Sequence, residues 1–350
     1  MASDNDVLSY EILAQRAQRL LSERPVVVLG TGATIPHGLP SMSDLADLLL
    51  AAVEGNPPGW GEFSQRLEEI KDLEVALHEV PLPDETVDRL VSATWEIVSA
   101  RDAAFYDRLV QGLEAFPLAE LFGHLLRTAD PQIQVVTTNY DRVAEYAANS
   151  VGAYVSTGLT AGWLQRFVPA AAGNERQPSP GYQGKVSLLK VHGSLDWFSD
   201  AMGDIVGVPL ASSVPAGARA LVVTPGVGKY RKVHSDPFRT VLSAADSALR
   251  KATCYLCVGF GFADEHVQPI LASRVLRHDV PLMIVTRTLS AAARKLFLSS
   301  PPKRFLFLEM APGGTTAYDP DHPTGTRLDG VSLWKLGDFM RLIAGEKARR

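Results

Sequence analysis

The sequence predicts an α/β fold of Rossmann-like type, a mostly parallel sheet with helices on both faces and a helical insertion. Three observations carry this expectation. Short apolar runs that read as buried strands alternate with stretches of helical period, the pattern of repeated βα units. Glycine-rich turns follow two of those runs, and short polar motifs follow two others. Right-handed crossovers bring the C-terminal ends of parallel strands to one edge, which is where doubly wound sheets hold their ligands.

Taken in order, residues 9–22 show helical periodicity through Leu13, Ala17, Leu20 and Leu21. Residues 25–29 (PVVVL) read as a strand buried on both faces, and a helix begins near Ser41 or Ser43, either of which can act as its N-cap. From residue 54 to 116 the pattern is helical and charged, broken by Pro57-Pro58, Pro81 and Pro83, and predicts three or four helices forming the insertion. A further amphipathic helix spans 116–127, a strand 132–137 and a helix 142–149. Residues 169–184 are rich in Pro, Gly and polar side chains and predict an exposed loop or hairpin. Strands follow at 186–191, 220–224, 254–258, 281–285 and 305–308. Helices are expected at 237–251, 265–276, 290–297 and 336–343. No internal repeat or low-complexity block interrupts the pattern, so residues 1–350 are expected to form a single domain.

The 350 residues carry a net charge of −5 and are 46% hydrophobic, typical of a globular chain with a sizeable core. Lys and Arg are scattered, which argues against a nucleic-acid surface. The start of the chain has acidic residues and no apolar segment of signal-peptide type, and no run approaches the roughly 20 residues that span a bilayer. A cytoplasmic protein is expected. The two cysteines, Cys254 and Cys257, sit in one apolar run whose alternation puts them on opposite faces. With no second C-x-x-C, a four-cysteine zinc site is excluded, and buried thiols suit a reducing compartment.

Four motifs stand at strand ends. GTGATIPHGLP runs from Gly30 to Pro40, TTNYD from Thr137 to Asp141, KVHGSLD from Lys190 to Asp196, and VGFGFADEH from Val258 to His266. Gly30 and Gly32 after a buried strand, with a helix beyond, give the context of a phosphate-binding turn, in which glycine lets backbone N–H groups approach an anion. Gly259 and Gly261 repeat that logic and would admit the adenosine half of a dinucleotide. Asn139 offers a donor and an acceptor suited to ribose hydroxyls. Its neighbour Asp141 is equally readable as the cap of the next helix. His192, in a glycine-containing turn at the ligand edge, can take a proton near neutral pH. The other histidines form no cluster with metal-ligand spacing.

As an ordered set the motifs resemble the sirtuin-like superfamily, in its divergent bacterial branch. Gly30-Thr31-Gly32 and Gly38-Leu39-Pro40 are similar to the sirtuin Gly-Ala-Gly and Gly-x-Pro elements, with Thr31 in place of alanine. Thr138-Asn139-Tyr140-Asp141 stands for Gln-Asn-x-Asp, His192-Gly193 for His-Gly, and GFGFADEH for the bacterial Gly-Tyr-Ser-Phe-x-Asp signature. The resemblance covers residues 25–286. It implies that Asn139 orients the nicotinamide ribose and incoming water, that His192 is a base, and that Asp141 contacts the nicotinamide amide. It further implies that Gly30, Thr31, Gly32, Ala33 and Thr34 cover pyrophosphate and ribose, with Pro40, Gly259, Phe260 and Gly261 completing the NAD site.

Protein-deacylating sirtuins carry a four-cysteine zinc module that this chain lacks. The resemblance therefore implies an NAD glycohydrolase of anti-phage defence with NAD as substrate, no further cofactor and no zinc. An NAD-dependent protein deacylase and a non-enzymatic NAD or ADP-ribose sensor are the alternatives. An unregulated NAD hydrolase would harm its host, so a homo-oligomer is expected, together with a HerA-type ATPase partner. The insertion offers Leu67, Ile70, Leu73, Leu77, Leu90, Trp95 and Ile97 for assembly or, more simply, for packing within the chain.

Overall fold

Four-residue strands that are apolar throughout can be buried on both faces only in the middle of a sheet covered on both sides. The structure, a computed structural model, describes residues 10–169, 172, 181–222 and 235–345, and it places these strands there. In chain order the elements are α1 (Tyr10–Ser22), β1 (Val26–Leu29), α2 (Met42–Ala52), α3 (Trp60–Ile70), α4 (Leu73–Glu79), α5 (Asp84–Val110), α6 (Pro117–Leu125), β2 (Gln132–Thr137) and α7 (Val143–Ser150). There follow β3 (Ala153–Ser156), β4 (Gln165–Arg166), β5 (Gly184–Lys190), β6 (Gly193–Ser199), β7 (Ile205–Gly207), β8 (Arg219–Val222), α8 (Phe238–Lys251) and β9 (Tyr255–Val258). The remainder is α9 (Val267–His278), β10 (Leu282–Val285), α10 (Ala291–Ala293, continuing as a π turn over Arg294–Leu298), β11 (Phe305–Ala311), β12 (Gly314–Tyr318), β13 (Thr326–Asp329) and α11 (Leu336–Ala344).

The main sheet has nine strands in the order β13-β12-β11-β10-β9-β1-β2-β5-β3. Pairing is parallel from β3 through to β11 and antiparallel only at the β11-β12-β13 edge. The chain lays down β1, β2 and β5 in one direction, returns to the other side of β1, and continues with β9, β10 and β11. This is the 3-2-1-4-5-6 order of dinucleotide-binding sheets, with β3 added at one edge and β12-β13 at the other. The order reverses between β1 and β9, so the ends of those two strands flank the crevice at the switch point.

The expected α/β class and parallel sheet are present, and the strand boundaries predicted for β1, β2, β9 and β10 agree to within a residue or two. A second sheet, antiparallel in the order β4-β7-β6-β8, was not expected, nor were β3, β12 and β13. The physical reason is local. β4 has 2 residues and β7 has 3, too short for any alternation to register, and they exist because β6 is there to pair with. β6 itself reads GSLDWFS and carries no clean period. The loop expected over residues 169–184 lies mostly outside the described residues, as do Pro225-Gly226 and His234.

Between β1 and β2 the chain builds the expected helical insertion as three helices. α3 starts after Gly59, whose φ of +79° is in the left-handed region, and α5 starts after Pro83. Leu67, Leu73, Leu77, Leu90 and Trp95 are buried in the chain's own core, and Ile70 and Ile97 pack against it. The seven positions are therefore internal packing and form no free stripe for self-assembly. α5 touches α2 on one side and β6 and β8 on the other. The Trp95 indole N–H donates to the Leu195 carbonyl on β6 at 2.9 Å, which pins the insertion to the second sheet. Burying a side chain such as Leu90 or Phe105 contributes about 1.5–3 kcal/mol, enough to hold α5 in place.

Cys254 packs with the core on one face of the main sheet and Cys257 with that on the other. Two thiols on opposite faces cannot share an ion or close a disulfide. Burial pushes Cys254 up to about 12 and raises Cys257 well above the ordinary thiol value. Among the described residues no helix is long and apolar enough to cross a membrane, and no group of His, Cys, Asp and Glu could hold a metal ion.

Candidate functional site

The two glycine turns meet at the switch point. The amide of Gly30 donates to the Val258 carbonyl and that of Gly32 to the Gly259 carbonyl, both at 3.1 Å. A Cβ on Gly32 would stand 2.7 Å from Gly259 Cα, and one on Gly259 would stand 2.2 Å from the Gly32 carbonyl carbon. These glycines let one backbone lie directly on the other. The amides of Ala33 and Thr34 close short turns onto the carbonyls of Gly30 and Thr31. The amides of Gly30 and Gly32, like those of Ala33 and Thr34, are thus engaged by protein carbonyls. Gly261 is different, because nothing approaches its Cβ position within 4 Å.

From the next strand, the Thr137 hydroxyl donates to the Leu29 carbonyl at the end of β1 and accepts from the Asn139 amide, both at 3.1 Å. The Asn139 side-chain amide then donates to the Gly30 carbonyl at 3.0 Å. Its Oδ1 is buried and has no partner among the described residues. Asp141 accepts from the Val143 amide, the first of α7, at 3.2 Å, while the N-cap position itself is Arg142. Burial raises its carboxyl to about 6 against the opposing pull of Lys190. Glu145 on α7 is raised to about 7 for the same reason, with the Lys190 ammonium 2.7 Å away.

Arg142, the next residue, is buried between two acids. It donates through Nη1 to Asp102 of α5 at 2.7 Å and through Nε to Asp196 of β6 at 2.6 Å. Burial alone would lower its pKa, but Asp196 and Asp102 together hold it above its ordinary value. Asp102, fully buried, also accepts from the Arg142 amide and the Tyr146 hydroxyl at 2.7 and 2.6 Å. One insertion carboxylate thereby fixes the loop that carries Asn139 and Asp141.

His192 occupies the corner where the chain leaves β5 in the main sheet and enters β6 in the second. The corner needs glycine at position 193, where φ is +91° and a Cβ would lie 2.0 Å from the Leu221 carbonyl oxygen. The buried Nε2 of His192 lies 2.8 Å from Oδ2 of Asp264. The pair is within ion-pair distance, but its alignment does not meet that of a hydrogen bond. Asp264 is the residue the sequence reading missed. Its visible signal was that of a helix cap, and it is one: its Oδ1 accepts from the amides of His266 and Val267 at 3.0 and 2.8 Å. His37, the other buried motif histidine, packs between Phe105 and Phe116, and burial lowers its pKa.

These side chains enclose a cavity of about 210 Å³ at the switch point. Of the expected site residues, Gly30, Thr31, Thr34, Pro40, Asn139, Asp141, His192, Phe260 and Gly261 line it. Gly32, Ala33 and Gly259 do not; they form the backbone seam beside it. Asp72, between α3 and α4, and Val98 of α5 also reach the cavity, and no sequence signal marked either. A wider hollow of about 650 Å³, with Arg24, Gln134, Arg239 and Ser243 in its wall, opens at the opposite ends of the strands. It contains no residue of the four motifs, so size alone does not identify the site.

No curated protein matches the chain. Among solved structures, a Sir2 homologue bound to 2'-O-acetyl ADP ribose is 13% identical with a TM-score of 0.48, covering 94% of each chain. A Sir2 homolog–NAD complex is 13% identical with a TM-score of 0.47, covering 95% of this chain and 93% of that one. A structure described as a basis for the mechanism and regulation of Sir2 enzymes is 13% identical with a TM-score of 0.46, covering 96% of this chain and 99% of that one. The stretch that carries Asn139, Asp141, His192 and Asp264 matches a known family: residues 133–298 correspond to the SIR2-like domain.

Proposed function

We propose that the protein is an NAD glycohydrolase that converts NAD and water into ADP-ribose, nicotinamide and a proton. The observation that carries this reading is the buried, unpartnered Oδ1 of Asn139, which lies in the same cavity wall as His192 at the switch point of a dinucleotide-type sheet. An acceptor in that position suits a ribose hydroxyl or the attacking water. The C1'–N bond breaks with its electron pair leaving on nicotinamide, the water oxygen bonds to C1', and His192 takes the water proton for later release. The transition state resembles an oxocarbenium ion, so the fixed polar groups of the cavity supply most of the stabilisation. The cavity is smaller than the roughly 300–1,000 Å³ of clefts that enclose a drug-sized ligand. It suits one end of a dinucleotide, with the other end lying over Phe260 and Gly261.

The SIR2-like match supports NAD as the substrate class. Under this reading the chain needs no zinc. A role in anti-phage defence by NAD depletion, and control by self-assembly or by a HerA-type ATPase, belong to the same proposal and rest on the family resemblance. Because the apolar positions of α3–α5 are core, assembly would use another surface. The test is to incubate purified protein with NAD, with and without an acetylated peptide, and to quantify nicotinamide and ADP-ribose. Nicotinamide release without peptide, lost in Asn139→Ala and His192→Ala, is the expected result. Release only with peptide would establish a deacylase, and tight NAD binding without release would establish a sensor.

A further inference from the structure

We propose that Asp264 is a positioning residue for His192, holding its Nε2 as the N–H of the ring so that Nδ1 is the atom that takes the proton. The role in catalysis rests on the reading above, whereas the ring state it predicts does not. A neutral imidazole carries one N–H and one lone pair, and the partner of one nitrogen decides which atom carries which. The Asp264 carboxylate can only accept, so a Nε2 at 2.8 Å from Oδ2 is favoured as the donor.

Three features make this an arranged contact. Both facing atoms are buried, so water does not compete for them. The carboxylate cannot swing, because its other oxygen is held by the amides of His266 and Val267 at the start of α9. The imidazole is set by the Gly193 corner, where no other residue fits. His192 comes from β5 and Asp264 from the turn after β9, and these strands lie on opposite sides of β1 and β2. The pair therefore bridges the switch point over the cavity it lines. During turnover the proton leaving water passes to Nδ1, and the Nε2–H remains donated to Asp264, whose negative charge stabilises the imidazolium.

The discriminating variant is Asp264→Asn. Asparagine keeps an oxygen for the two α9 amides and is itself a good N-cap. It turns an amide N–H₂ toward Nε2, which selects the opposite tautomer and removes the lone pair from Nδ1. Ring nitrogens of ¹⁵N-histidine-labelled protein are read by NMR in mildly alkaline buffer, with His192 assigned by its loss in His192→Gln. Wild type should show Nε2–H and Asp264→Asn should show Nδ1–H. NAD turnover in Asp264→Asn should fall about 100-fold or more with NAD affinity nearly unchanged. In a His192→Ala background the same substitution should change the rate by no more than about twofold. A wild-type ring in the Nδ1–H state overturns the proposal. Full turnover in Asp264→Asn overturns it too, as does an equal loss in the His192→Ala background. If wild type cleaves no NAD, the glycohydrolase reading fails while the tautomer still decides the Asp264 assignment.

Discussion

The two glycine turns look alike as text, yet they do different work on either side of the switch point. In the turn after β1, Gly30 and Gly32 give up side chains so that the backbone after β9 can lie against them. In the turn after β9, Gly259 completes that seam, while two residues on Gly261 faces open space at the cavity rim. Three of the four glycines are thus explained by chain-on-chain packing, and the fourth opens onto the cavity. A glycine in a strand-end turn reports that something comes close; it does not report whether that is a phosphate or another backbone.

The difference can be tested by substitution, and the largest effect is expected at the seam. Gly259→Ala puts a Cβ against the Gly32 backbone and forces a left-handed φ of +58° on alanine. Overpacking and strain together cost about 3 kcal/mol or more, so calorimetry should show a large loss of thermal stability or no folded protein. An unchanged melting temperature would mean that the seam has room for a methyl group.

Asn139→Ala and His192→Ala act on the cavity; the first also removes a hydrogen bond to the Gly30 carbonyl, which keeps the one from the Ala33 amide. Each should lower NAD turnover by about 100-fold, equivalent to about 2.7 kcal/mol, with a melting temperature near that of wild type. Wild-type rates in both would remove them from the chemistry.

A comparable but differently signed effect is expected from the acids beneath Asn139. Asp141 and Glu145 have folded-state values raised by burial to about 6 and about 7. The folded protein therefore binds more protons than the unfolded chain. The stability these groups contribute is fully present below about pH 4 and is lost as pH rises through 6 and 7, by on the order of 2–3 kcal/mol per group. Wild type should lose stability relative to an Asp141→Asn, Glu145→Gln variant between about pH 5 and 8. A difference that stays flat with pH would show that Lys190 fully compensates the pair.

The smallest effect on folding is expected at the rim. Gly261→Ala meets no atom and should change stability by no more than about 0.5 kcal/mol. Titration should nonetheless show weaker NAD binding, because the added methyl occupies ligand space. Unaltered binding would place the ligand elsewhere on the edge.

Much of the site was legible because its residues sit at strand ends in short recurring patterns. Asn139 and Asp141 come from the loop after β2 and His192 from the corner after β5, and the parallel pairing of those two strands brings them to one edge. Asp264 was written in the same motif as Gly259 and Gly261 but was hidden by a second role, since any acid before a helix reads as a cap. Asp72 and Val98 were invisible, since the insertion meets the cavity through tertiary packing that has no period in sequence.

The sequence by itself determined the α/β class, the buried strands β1, β2, β9 and β10, the proline-broken helices of the insertion, and the edge at which the motifs gather. Those properties follow from local chemistry: apolar runs must be buried, proline ends helices, and parallel strands share a direction. Only the tertiary structure decided that the glycine amides serve the protein's own carbonyls, that a second antiparallel sheet grows from β6, that Asp102 holds the loop of Asn139, and that Asp264 comes beside His192. Each depends on which backbone or carboxylate arrives from a distant part of the chain, and a one-dimensional pattern carries no record of that arrival.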